Sequence, residues 1–142
     1  MQFVSELLSD KGNRVFAIHP TATVLDAVRE MDQKEVGALV VLEDGALRGV
    51  LSERDYARRV ILRGRRSDET RVEEIMTVEV VTVAPSVSVD ECMELMTEHR
   101  VRHLPVLDGG RVVGVISIGD LVRAIMHRQR RTIEHLKNYI AG

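Results

Sequence analysis

Gly49-Val50-Leu51-Ser52-Glu53-Arg54-Asp55 and Gly114-Val115-Ile116-Ser117-Ile118-Gly119-Asp120 share one pattern: glycine, two apolar residues, serine, two variable residues and aspartate. They lie 65 positions apart. Sliding the chain against itself by that offset aligns residues 15–61 with 80–126 without a gap, and 14 of the 47 pairs are identical, among them Pro20/Pro85, Met31/Met96, Val50/Val115 and Arg58/Arg123. Ungapped identity over that length marks a duplicated supersecondary unit. The segments before each copy also match, Val4-Ser5-Glu6-Leu7-Leu8 with Val72-Glu73-Glu74-Ile75-Met76, but the first copy carries three extra residues around Asp10-Lys11-Gly12.

Each copy reads in the same order. A short extended segment, Val15 to Ile18 or Val80 to Val83, meets a proline. A helix then opens at Thr23-x-x-Asp26 or Ser88-x-x-Glu91, the spacing of a capping box. Val24, Ala27, Val28 and Met31, like Val89, Cys92, Met93 and Met96, recur at three and four, so one helix face lies on a core and these side chains, Cys92 included, are packing residues. Ala38 to Leu42 and His103 to Leu107 read as strands that turn at Asp44-Gly45 or Gly109-Gly110 into Leu47 to Leu51 and Val112 to Ile116. A second helix starts near Ser52 or Ser117. The expectation is a mixed α/β (α+β) chain of two pseudo-symmetric β-α-β-β-α units, residues 1–66 and 67–142, packed through their sheets and followed by a C-terminal helical tail. One unit of about 50 residues is too small to cover its own sheet.

Composition narrows the function classes. The 142 residues are 44% apolar and 30% charged, which suits one compact domain or two halves sharing a core. No stretch offers the roughly 20 apolar residues of a membrane helix, and Met1 to Glu6 has neither the basic lead nor the apolar core of a secretory signal, so a cytoplasmic protein is expected. A single cysteine and no histidine pair at ligand spacing give no metal site. The formal charge is −2, and four aromatic residues make a poor base-stacking platform, which argues against a nucleic-acid partner. Yet 17 of the 20 basic residues are arginine, six of them between Arg54 and Arg66. Arginine suits bidentate binding of phosphate or carboxylate.

The Ser-x-x-Asp turn admits two readings that do not exclude one another. It is a helix cap with an acidic residue in the first turn. It is also a ligand cradle, in which the glycine lets a ligand approach the strand end, the helix N-terminus offers amide donors, and the aspartate accepts both hydroxyls of a ribose.

With the two Gly-h-h-Ser-x-x-Asp turns, the run from His99 to Asp108 and the lead-in Val72 to Thr77, the sequence resembles a tandem pair of CBS domains, a Bateman module, over essentially its whole length. It is most similar to stand-alone bacterial-type pair proteins. The resemblance implies clefts that bind adenosine-containing ligands and a disc-shaped homodimer. It implies that Asp55 and Asp120 hold ribose hydroxyls and that Ser52 and Ser117 contact the ribose or first phosphate. Ala17, Ile18, Leu39 and Val40 in one copy, and Thr82, Val83, Leu104 and Pro105 in the other, would enclose the adenine. Arg54, Arg102 and His103 would meet phosphate, with Lys11 and Arg100 as further phosphate contacts. The copies have complementary cation deficits, since Arg54 faces Gly119 in the alignment while Arg100 and Arg102 face Glu35 and Gly37. Shared phosphates or different nucleotides in the two clefts would explain that asymmetry.

The function expected is a non-enzymatic regulatory module that senses energy or redox state through AMP, ADP, ATP or NAD(H) and reports to a downstream protein. No nucleophile-base pair, P-loop or metal-bound water motif supports bond chemistry. The alternative is a partner-docking or nucleic-acid-binding protein that uses the arginine clusters.

Overall fold

Thr23 and Ser88, one repeat apart, cap equivalent helices: their hydroxyls accept from the amides of Asp26 and Glu91, both at 3.1 Å. This computed structural model describes residues 1–141. The capped helices are α2 (Val24–Lys34) and α5 (Val89–His99), and both end on a non-glycine residue in the left-handed region, Glu35 and Arg100, each with φ 55°.

After α2, strands β2 (Ala38–Glu43) and β3 (Ala46–Ser52) form an antiparallel hairpin, as do β4 (His103–Asp108) and β5 (Arg111–Ser117) after α5. Both turns need positive φ at two successive residues, which Asp44-Gly45 (50° and 80°) and Gly109-Gly110 (59° and 80°) supply. The two hairpins even share their register irregularity, at Val41/Leu42 and Val106/Leu107. The entry strands are shorter than the sequence predicts. β1 is Ala17–Ile18, paired in parallel with β2, and its counterpart is a single bridge from Val83 to Val106. Pro20 and Pro85 follow closely, and a residue without an N–H cannot extend the ladder.

The hairpins feed α3 (Glu53–Tyr56), which continues as a π-helical turn (Ala57–Ile61), and α6 (Ile118–Ala141). Short helices α1 (Val4–Lys11) and α4 (Val72–Ile75) precede the copies in sequence but cross in space. Val4, Leu7 and Leu8 of α1 pack with Val89, Cys92, Leu104, Ile116 and Leu121 of the second copy. Val72 and Ile75 of α4 pack with Val24, Met31, Leu39 and Leu51 of the first. The crossing is stitched by matched main-chain bonds: Val4 N–H to Val87 and Val72 N–H to Ala22, Val89 N–H to Gln2 and Val24 N–H to Thr70. Each core is completed by the other copy's lead-in, so neither copy can shed its neighbour without opening its own core.

The far half of α6 leaves that body. Ile133, Leu136 and Ile140 are exposed, at 51%, 58% and 83%.

Candidate functional site

Ser52 ends β3, and its neighbours close a complete capping box. Ser52 Oγ accepts from the Asp55 amide (3.1 Å), and Asp55 Oδ2 accepts from the Ser52 amide (2.9 Å) and hydroxyl (3.0 Å). Asp55 Oδ1 accepts from the hydroxyl of Thr77, 3.1 Å away in the segment that opens the second copy. The buried carboxylate thus keeps acceptor capacity on its outer oxygen, since each carboxylate oxygen offers two lone-pair directions. At the second turn, Asp120 Oδ2 accepts from the Ser117 amide (2.8 Å), and Ser117 Oγ accepts from the Asp120 amide (3.2 Å). The cap reading therefore holds at both turns.

The glycine reading does not hold. A Cβ on Gly49 would stand 2.7 Å from the Thr77 carbonyl oxygen and 2.9 Å from Met76 Sδ, and one on Gly114 would stand 2.5 Å from Leu8 Cδ2. The space that the sequence reading reserved for a ligand is taken by the lead-in segments of the chain itself.

A cleft of about 450 Å³ opens beside the first turn, lined on one side by Ser52, Arg54, Asp55 and Arg58 and on the other by Arg100, Arg102 and His103, with Thr77, Val80 and Val81 along its floor. That size lies within the range of small-molecule sites. Cations separated by some 45 residues in sequence share this space, and Arg54 Nη1 donates to the Arg100 carbonyl at 3.0 Å. Burial lowers the pKa of His103, and the Lys11 and Arg102 charges add to this against the opposing pull of Asp120. The imidazole is therefore held neutral to lower pH than usual, ready to donate one N–H or to be charged by an anion.

Of the residues singled out in the sequence, Ser52, Arg54, Asp55, Arg100, Arg102 and His103 come together at this cleft. The apolar set does not line it. Leu39, Val83 and Leu104 are buried in the two cores, Val40 and Pro105 are also buried, and Ala17, Ile18 and Thr82 are half-buried away from the lining. Because Val83 bridges to Val106, the residues that pass the cleft are Val80 and Val81, two positions earlier. Sequence reading missed Thr77 as a partner of Asp55, and missed Arg58, whose identity with Arg123 across the repeat was the available signal. Ser117, Asp120 and Lys11 lie together at the second turn, where Lys11 Nζ meets Asp120 Oδ2 at 2.7 Å. Burial alone would raise the carboxyl of Asp120, but the Lys11 ammonium and the Ser117 amide outweigh it and hold the pKa below its ordinary value. Among the described residues, no three His, Cys, Asp or Glu side chains converge as metal ligands.

Two interleaved β-α-β-β-α repeats with a cleft between one copy's strand-to-helix turn and the other copy's helix end define a regulatory paired-repeat module. The family model of the CBS domain matches residues 4–62 and 72–127, and the chain belongs to the CBS domain family as a tandem pair. Over 125 residues it is 47% identical to the mitochondrial CBS domain-containing protein CBSX3 of Arabidopsis thaliana, covering 84% of this chain and 61% of that longer relative. A solved structure of a Burkholderia ambifaria protein with CBS domains, described as a signal-transduction candidate, shares 50% identity with a TM-score of 0.87 and covers 90% of this chain and 96% of its own. The CBS domain pair of protein MJ0100, solved with 5′-methylthioadenosine and S-adenosyl-L-methionine, shares the fold at 22% identity and a TM-score of 0.80, covering 90% and 98%.

Proposed function

We propose that this protein is a regulatory module that binds a phosphorylated adenine nucleotide, AMP, ADP, ATP or NAD(H), and thereby senses energy or redox state for a downstream protein. The observation that carries the reading is the composition of the first cleft. A carboxylate with spare acceptor capacity, Asp55, stands with Ser52, Arg54 and Arg58 on one side of the cleft and faces Arg100, Arg102 and His103 on the other, so that five basic side chains outnumber the lining carboxylates Glu53, Asp55 and Glu79. The carboxylate suits the vicinal hydroxyls of a ribose, and the guanidinium groups suit phosphate oxygens. The adenosine-bearing ligands of the MJ0100 pair support the adenosine half of this assignment. The cationic wall favours a phosphate over a sulfonium. Ser117 and Asp120 repeat the ribose-binding turn in the second copy.

The arginine-rich segment gives less support to a macromolecular partner. Arg65 pairs with Glu74 at 2.7 Å, Arg66 with Asp68 at 2.9 Å, and Arg59 donates to the carbonyls of Ile75 and Met76. Half of its six arginines, Arg59, Arg65 and Arg66, are thus engaged within the fold. Among the described residues no helix is long and apolar enough to cross a membrane. We place the protein in the cytoplasm as a homodimer, with the mitochondrial relative marking the competing compartment.

A ligand that binds only the folded state raises its melting temperature by mass action. A thermal scan of ligand-free protein with AMP, ATP, NADH, S-adenosylmethionine and single-stranded DNA tests the proposal. The phosphorylated adenine ligands should raise the transition. Stabilisation by DNA alone, or by none of them, would overturn it.

A further inference from the structure

The repeat relates the two turns almost atom for atom, and one departure from it stands out. At the first turn the chain crosses β3 through Thr77, whose amide donates to the Val50 carbonyl (2.9 Å) and whose carbonyl accepts from the Val50 amide (3.0 Å). Its hydroxyl then reaches Asp55. At the second turn the same two acceptors, the Val115 carbonyl and the Asp120 carboxylate, are both taken by one side chain. Lys11 Nζ donates to the Val115 oxygen at 2.9 Å and to Asp120 Oδ2 at 2.7 Å. Lys11 belongs to the three extra residues that the first lead-in carries and the second lacks. Arg123 Nη2 takes the other oxygen, Oδ1, at 2.7 Å.

Both aspartates therefore hold their helix cap, but their remaining partners differ in kind. Asp55 faces a neutral hydroxyl, which a ribose hydroxyl replaces like for like. Asp120 faces an ammonium and a guanidinium, and charge-assisted bonds are about twice as strong as neutral ones. The Arg123 side chain is 72% exposed and swings away at little cost, whereas Lys11 is also anchored to the Val115 carbonyl and sits only 37% exposed.

We propose that Lys11 is a latch that makes the two ribose sites of the pair unequal: the cleft at Asp55 is open, and the turn at Asp120 accepts a ribose only after Lys11 releases the carboxylate. This rests on the adenine-nucleotide reading above and adds an order of filling, with Lys11 as the residue that sets it. It also opposes the simpler role that the sequence offered for Lys11, a cation for ligand phosphate. The two roles predict opposite signs.

Calorimetric titration of the full chain with AMP decides between them. The parent should show a tight step that Asp55→Ala removes, and a second step weaker by about tenfold or more. Lys11→Met should tighten the second step by about fivefold or more and leave the first unchanged, with Lys11→Gln acting in the same direction in case methionine perturbs folding. In Asp55→Ala/Lys11→Met the strengthened step alone should remain. Two equal steps in the parent, or a second step that Lys11→Met weakens or leaves in place, would overturn the latch while the tight step upholds the nucleotide reading. No AMP heat in the parent or in either Lys11 variant would overturn both.

Discussion

Arg54, from the turn of the first copy, donates a guanidinium N–H to the main-chain carbonyl of Arg100, the left-handed cap residue that ends α5 in the second. This bond ties the turn of one copy to the helix end of the other, so that each copy brings an arginine to the same cleft. The second copy has glycine where Arg54 stands, and the first has Glu35 where Arg100 stands, so the cation pair exists once per chain.

Phosphate selectivity follows from that pair. With Arg54, Arg100 and Arg102 on the cleft wall, AMP should bind at least about tenfold more tightly than adenosine, and the difference should shrink as salt rises because charge-assisted bonds carry it. Arg54→Met should erase most of it. Equal affinities for adenosine and AMP at low salt would remove the arginines from the ligand.

His103 gives the cleft a pH dependence whose sign is fixed. Without ligand its pKa is depressed, chiefly by burial, so the folded state binds its proton less readily than the unfolded chain does. Its contribution to stability is full above the unfolded value near 6.5 and is lost as the pH falls below it. A bound phosphate reverses the balance by stabilising the imidazolium, with Asp120 nearby assisting and Lys11 and Arg102 opposing. Affinity for NAD, whose pyrophosphate keeps its charge, should therefore rise from about pH 8 to about pH 6. His103→Gln should flatten that profile. An unchanged profile in the variant would place His103 outside phosphate reach.

The carboxylates separate capping from ligand binding. Asp55→Ala should weaken AMP binding about 10- to 150-fold, because it removes an ionised acceptor for the ribose. As a buried member of a capping box that accepts three hydrogen bonds, the same aspartate should contribute about 1 to 3 kcal/mol of stability, so the alanine variant is compared at a temperature where it is folded. Titration beside melting curves of the ligand-free variant checks the comparison. A folded variant that binds AMP as well as the parent would leave Asp55 as a cap only.

The duplicated order of elements was legible because the signals repeat at one fixed offset. Thr23 and Ser88 start helices, Asp44-Gly45 and Gly109-Gly110 turn hairpins, and the Ser-x-x-Asp turns open α3 and α6. Interactions between copies were not legible. That α1 completes the second core and α4 the first depends on apolar residues, Val4 and Val72 among them, that look alike in any local window. For the same reason the cations of the cleft could be named from their alignment, whereas its apolar floor was placed two residues away, at Thr82 and Val83. Periodicity gives the face of a segment but not where an interrupted strand stops pairing.

The exposed tail of α6 sets an expectation for assembly. Val122, Met126, Ile133, Leu136 and Ile140, with Gln129 between them, step by four and three, the spacing of a coiled-coil seam, and all five apolar members are more than 40% exposed. Sedimentation should give twice the 16.0 kDa chain mass at micromolar protein, and Ile133→Asp/Leu136→Asp should reduce it to one chain. A parent that sediments as a single chain would defeat the dimer, and a higher oligomer would require a further interface.

Gly49 and Gly114 occupy equivalent positions, yet they should not tolerate alanine equally. At Gly49 the new methyl would meet main chain, the Thr77 carbonyl at 2.7 Å, and Met76 Sδ at 2.9 Å. That carbonyl is bonded to the Val50 amide, so relief requires moving the segment whose hydroxyl also holds Asp55. At Gly114 the obstacle is the end of one side chain, Leu8 Cδ2 at 2.5 Å, which can change rotamer. Overpacking costs about 1 to 3 kcal/mol where the surroundings cannot yield, while alanine for glycine returns about 0.4 to 1 kcal/mol by restricting the unfolded chain. Gly49→Ala should therefore lower stability measurably in urea and weaken AMP binding with it, through the displaced Thr77. Gly114→Ala should lie within about 1 kcal/mol of the parent and keep the tight step. The reverse order of stabilities would mean that Leu8 is fixed more firmly than the segment through Thr77, and that the first turn is not braced by the main chain that crosses it.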